Sequence, residues 1–427
     1  VTRPPFGFGP GDAGSGDDSG GDGTPDRPSD PLAAFAAGTP DLGAMLRQLG
    51  DLMSGETGPV NWQVARQSAL EVIGADAGTT ASERSQIEEA IRLADLWLDP
   101  ATAMPSGVTA VEAWSRRRWL EATRESWGEL VEPVAARIGS AMGEALPEQV
   151  RSMAAPLMGV MTQAAGLMFG AQVGQALGTL AGEVVCATDI GIPLGPPGVA
   201  ALLPESLRAF GEGLSVPEAE VRLFVALREA AHHRLFGHVP WLRGVLFAAV
   251  RGYAEGITVD TGKFDELAGS VDPSDPEWLQ HAVGEGLFEP TNTPAQQAAL
   301  ERLETALALV EGWVDTATAA AAATQLPGFA ALQETMRRRR ATGGPAERTF
   351  ATLVGLELRP RRLREAATLW QLAGEHRGVA GRDALWSHPD LLPTAADLDD
   401  PVAWLDQHGG PDDGLDISEL EGPPADG

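Results

Sequence analysis

One cysteine, one lysine and one tyrosine stand in a chain of 427 residues, and the scarcities exclude several functions. With Cys186 alone, no intrachain disulfide can form, which points to a cytoplasmic protein. Lysine is nearly absent, with Lys263 the one example, so arginine carries almost all the positive charge. That charge is itself short: 31 Lys and Arg face 60 Asp and Glu, a net of −29. Nucleic acid and anionic membrane surfaces are therefore poor partners, because phosphates need a basic face. The first residues are rich in Gly, Pro and Asp, not the basic start and apolar run of a signal peptide. A phosphate-binding glycine loop, a nucleotide fingerprint and a Ser/His/Asp hydrolase elbow are all missing.

A hydrophobic content of 43% is enough for a core, and it is unevenly spread. Residues 1–40 are Gly/Asp/Pro-rich with little apolar content, and residues 399–427 are acidic; both are expected to be disordered tails. Between them, residues 41–398 read as one mainly α domain with few short strands. Helices are expected over 61–73, 80–98 and 111–130, the second opening with Thr80 and Glu83 at capping-box spacing. Residues 187–204 carry Gly/Pro punctuation and read as irregular, with one or two short strands. Ser215 is the expected cap of a helix reaching about Phe236, and a second helix follows from Pro240 to about Glu255. Further helices are expected over 294–323, 327–340, 347–356 and 361–373.

Residues 152–182 contain no charge, a length that could span a bilayer. Gly166, Gly170, Gly174, Gly178 and Gly182 recur within it every four residues, a spacing that lets helices approach closely. Gln163, Gln172, Gln175, Thr162 and Pro156 favour a helix buried in a soluble bundle, so a membrane partner is the weaker reading.

The segment Arg228-Glu229-Ala230-Ala231-His232 differs by one letter from H-E-x-x-H, the helical motif of zinc peptidases. There two histidines at i and i+4 bind zinc and the glutamate is general base for the metal-bound water. Glu229 and His232 fill the second and third roles, but Arg228 is permanently charged and has no lone pair for a cation. On a helical wheel Arg228 and His232 lie within about 40–60° of Val221, inside an apolar stripe that includes Val225 and Leu235. Glu229 points roughly 60–100° away, at the rim of that stripe.

A second segment answers the first. Glu311 lies in the stripe formed by Leu300, Leu303, Leu307 and Val314, with Asp315 one turn on. Glu-x-x-x-Asp resembles the third-ligand motif of glutamate-type zincins, in which Glu binds zinc and Asp orients a ligating His. Polar groups on two apolar helix faces need partners, and each other is the simplest choice.

Four longer runs carry a wider resemblance: LREAAHHRLFGHVPWLRG, LALVEGWVD, GGPAERTFATLVGLELRPRRLREAATLW and GRDALWSHPDLLPTAADLDDP. Over about residues 40–405 the chain resembles an actinobacterial hydrolase and zinc-dependent metalloprotease family. That family belongs to a zincin-like superfamily shared with proteins named after deazaflavin-cofactor biosynthesis. The resemblance implies a zincin-like helical fold and a site at His232, Glu311 and the position of Arg228, with Glu229 as base. Zinc would then have two protein ligands, His232 and Glu311, too few to hold it firmly.

Two readings stay open. In the first, the Arg228 guanidinium takes the place of the metal and pairs with Glu311, leaving a peptidase-like cleft that binds a peptide or protein. In the second, an active zinc hydrolase uses His232, Glu311 and a third ligand, for which His233 and His238 are the nearest candidates. The arginines 337–340, with Arg359, Arg361, Arg362 and Arg364, read as a solvated helix end.

Overall fold

In the computed structural model, the described residues are 58–145, 148–257, 293–341 and 362–408, without the side chains of 141–161 and 341. All of them fall within one compact unit, Leu52–Gly427. The tail over 1–40 and the expected helix over 347–356 lie outside the described residues.

The elements begin with α1 (Trp62–Ile73) and α2 (Ala81–Leu98). Thr80 and Glu83 form the reciprocal capping box at the start of α2, satisfying two of its free N–H groups. Strand β1 (Ala110–Ala113) follows, where a helix beginning at Val111 was expected. The main chain of β1 pairs in parallel with β2 (Val199–Leu202), in register from Ala110 with Val199 to Ala113 with Leu202. That long-range partner is invisible to local periodicity. Between the strands run α3 (Arg116–Ala145) and α4 (Glu148–Glu183). Cys186 bridges antiparallel to Leu202, so the stretch after α4 lies along the other side of β2.

The glycine stripe belongs to the α1–α4 contact. A Cβ on Gly174 would lie 2.2 Å from the Ala65 carbonyl oxygen, and one on Gly170 would lie 2.5 Å from that of Asn61. Glycine lets the two backbones touch, and the Asn61 N–H donates to the Gly166 carbonyl at 3.0 Å. Among the described residues no helix is long and apolar enough to cross a membrane.

The second half contains α5 (Pro204–Gly211), α6 (Glu218–His238), α7 (Pro240–Glu255), α8 (Pro294–Ala322), α9 (Phe329–Ala341), α10 (Leu363–Ala384) and α11 (Pro401–His408). Pro217, not Ser215, occupies the cap position of α6, with no side-chain hydrogen bond there. The folded unit extends past the expected boundary at 398, because Trp404 and Leu405 of α11 are buried.

Helix α6 sits at the centre, packed by α2, α5, α7, α8, α9 and β2. Every residue from Phe224 to Leu235 is buried, so no wet face remains over those turns. Arg234 locks α6 to α2: it donates to the Asp95 and Met104 carbonyls at 2.7 and 2.8 Å and to the Asp99 carboxylate at 2.7 Å. Gly107 lies so close to α6 that an added Cβ would fall 1.9 Å from the His233 carbonyl oxygen.

Candidate functional site

Helices α6 and α8 bring the two sequence segments together, 83 residues apart in the chain. The Arg228 guanidinium donates to Glu311 Oε2 at 2.6 Å and to Asp315 Oδ1. Both contacts lie in the interior: Arg228, Glu311 and Asp315 are 3%, 5% and 4% exposed. His232 presents Nδ1 to its own helix, donating to the Arg228 carbonyl at 2.8 Å, and Nε2 to Glu311 Oε1 at 3.2 Å. Asp315 bonds Arg228 and has no bond to His232, where the resemblance implied that it orients the histidine.

Helix α9 adds cations that the sequence did not mark as part of the site. Arg340 donates to Glu311 Oε2 and, at 3.2 Å, to the Asp189 carbonyl. Arg337 approaches Asp315 Oδ2 at 3.5 Å, and Arg339 pairs with Asp189 Oδ2 at 3.0 Å. Three of the eight arginines read as a solvated helix end, Arg337, Arg339 and Arg340, therefore reach buried carboxylates. The spacing of 337 and 340, three apart on one helix face, was the available signal. Gly191, at φ +74°, brings the loop after α4 against Glu311, where a Cβ would lie 2.8 Å from Oε1. Burial pushes the Glu311 carboxyl up, but Arg340, His232 and Arg228 outweigh it and hold the acid well below the usual range. The same balance works in reverse on Arg340: burial lowers it, and the charge and hydrogen bond of Glu311 raise it further.

Glu229 is not at a rim. It is 0% exposed, and its carboxylate accepts from the Thr188 N–H at 3.1 Å, the Thr188 hydroxyl at 2.6 Å and the Ala201 N–H at 3.0 Å. His233 Nε2 lies 3.2 Å from the same carboxylate. Burial raises this acid, yet His233, Thr188 and Ala201 together bring it down to about 2. Glu229 thus fastens α6 to β2 and to the loop after α4, with both oxygens engaged by protein groups. A base needs a free lone pair within reach of a proton, which this placement does not provide. His238 Nδ1 donates to the Arg234 carbonyl at 2.8 Å, so neither His233 nor His238 joins the Arg228–Glu311 cluster.

The sequence profile of the zincin-like metallopeptidases matches residues 60–405. The chain belongs to the zincin-like metallopeptidase family. Its fold is also that of a solved structure from Chloroflexus aurantiacus, described as a "putative hydrolase with a novel fold". The two are 21% identical, with a TM-score of 0.57 over 82% of this chain and 98% of that one. No protein with a curated description matches the sequence.

Membership in a zincin-like family raises the question of zinc, and the donor set answers it. The Arg228 guanidinium has no lone pair to offer a cation, and it already binds the Glu311 carboxylate. Among the described residues, no group of three or more His, Cys, Asp or Glu side chains is placed to hold a metal ion. The residues as arranged do not fit a zinc ion, and a closed ion-pair cluster takes its place.

Proposed function

We propose that this zincin-like protein uses its ancestral metal position as a charge-paired binding site, and that it does not act as a zinc peptidase. One observation carries the reading: the Arg228 guanidinium bonds Glu311 and Asp315 at the position where H-E-x-x-H has its first histidine. Arginine supplies a fixed positive charge without coordinating water, so the water-activating step of metallopeptidases has no starting point. The partner on this reading is a peptide or protein, and the lone buried Cys186 suits a reducing, cytoplasmic setting.

Metal analysis separates this from the active-hydrolase reading with His232 and Glu311 as ligands and Glu229 as base. Protein purified without added metal, then supplemented with zinc and dialysed, is expected to retain none. About one zinc per chain would overturn the proposal. Arg228→His is expected to create zinc binding, since it restores the missing imidazole beside His232 and Glu311. Failure of that variant to gain zinc, with its fold intact, would count against descent from a metal site.

A further inference from the structure

Helix α9 is attached in two different ways along its length. Its first two turns are anchored by buried apolar side chains, Phe329, Leu332 and Met336, with Phe329 packed edge-on against Phe224 at 5.8 Å between ring centroids. The described side chains of its last turn, Arg337 to Arg340, are all charged. Arg337, Arg339 and Arg340 reach from there to Asp315, Asp189 and Glu311. Arg340 is the deepest of the three at 12% side-chain exposure, whereas Arg337 is 38% exposed. The part-exposed Arg337 contact is screened by salt and yields to competing charges readily, whereas the buried Arg340–Glu311 pair yields only to another cation that can take its place.

The frame beneath this turn is anionic without it. Asp189, Glu311 and Asp315 place three carboxylates there, and Arg228 is the one guanidinium that remains among them. Buried carboxylates that outnumber their counter-charges are costly, so the place Arg340 fills favours a cation. Its acceptors suit one kind of cation. Glu311 Oε2 receives Nη1 and the Asp189 main-chain carbonyl receives Nη2, two acceptors matched to the two prongs of one guanidinium. An ammonium presents no such fork.

We propose that Arg340 is the internal occupant of a guanidinium subsite, and that an arginine side chain of a peptide or protein partner replaces it when the last turn of α9 lifts. This deepens the reading of the site as a binding cleft by naming the ligand's chemistry, and it rests on that reading. It also gives a closed cluster a way to open: the partner arginine competes with Arg340 for the same two acceptors while Arg228 stays in place.

The test vacates the subsite in the full chain. In Arg340→Ala, ethylguanidinium at millimolar concentration is expected to raise the melting temperature by about 2 °C or more, and ethylurea, its uncharged analogue, is not. The wild type should respond to neither, because its own arginine is tethered in the site. The peptide acetyl-Ala-Arg-Ala-amide should bind Arg340→Ala at least ~10-fold more tightly than its citrulline counterpart, and Glu311→Gln in that background should remove the preference. If Arg340→Ala does not fold, Arg340→Lys keeps the charge but loses the fork, and the arginine peptide should bind it more tightly than wild type. Equal responses to ethylguanidinium and ethylurea in the folded variant would overturn the proposal. So would an arginine preference that survives Glu311→Gln, which would place binding on the acidic surface. Stabilisation of Arg340→Ala by zinc and not by ethylguanidinium would overturn it in favour of a metal. Zinc held by the wild type would instead sink the function proposed above, so the two failures read differently.

Discussion

Arg228 illustrates how one buried residue sets the balance of charge in a polar cluster. Replacing it by alanine leaves Asp315 buried without its closest cation, while Glu311 keeps Arg340 and His232. Arg228→Ala is therefore expected to cost on the order of 3 kcal/mol in urea unfolding. A loss below about 1 kcal/mol would mean that the pair is far more solvated than its placement implies. Glu229 makes a second prediction, in pH. Its acid is depressed to about 2 in the folded chain. A depressed carboxyl contributes stability that is complete above its unfolded value, about 4.3, and disappears as pH falls through its folded value. Acid denaturation curves should therefore steepen between about pH 4.5 and 2, and Glu229→Gln should lower stability at pH 7 and flatten that region. A variant with the wild-type slope there would show that other carboxylates set it. At this scale, Arg228, His232 and Glu311 were legible in the sequence as polar residues in apolar stripes. The pairing of Arg228 with Glu311 was expected from the sequence and is present; the contacts of Arg337, Arg340 and Asp189 were not, because these residues arrive from elements distant in sequence.

Among the elements, α4 and α6 show why helical pattern alone misleads. The wheel placed Glu229 at a rim, on the premise that a helix has one buried side. Helix α6 is surrounded, so from Phe224 to Leu235 every side is inside. Helix α4 carries five glycines at one spacing, yet they are not equivalent. Gly174 meets the Ala65 backbone, whereas nothing lies within 4 Å of a Cβ placed on Gly182. Gly174→Ala is expected to destabilise by about 1–3 kcal/mol through overpacking. Gly182→Ala should be neutral or stabilising by up to about 1 kcal/mol through the lost freedom of the unfolded chain. Opposite signs in the shift of the urea midpoint would bear this out, and equal losses would argue against the close approach of α1 and α4. The spacing was readable from the sequence; which glycines needed it depended on where α1 ends.

Across the whole molecule, the N-terminal and C-terminal halves of the described unit are tied by buried polar clamps as well as by apolar packing. Asp383 of α10 accepts from the Thr102 hydroxyl at 2.6 Å, the Ala103 N–H at 2.7 Å and the Trp313 indole at 2.9 Å. The neighbouring Arg382 donates to it at 2.8 Å and to the Ala101 carbonyl at 2.8 Å. One carboxylate thus fastens α10 to α8 and to the segment after α2. Asp383→Ala should lower stability by on the order of 3 kcal/mol, because it strands a buried guanidinium and three donors. The unfolding transition should shift as one step; a split transition by two probes would show that α10 detaches separately.

Composition and periodicity by themselves determined a mainly helical, acidic, disulfide-free chain. They also located the two segments that meet at the site, because helix period and apolar stripes are local properties. Tertiary structure alone decided that Glu229 fastens α6 to β2, that Asp315 pairs with Arg228, and that α9 closes the cluster. Those outcomes depend on which charges become buried together, and a buried charge takes its role from whatever counter-charges the fold brings within reach.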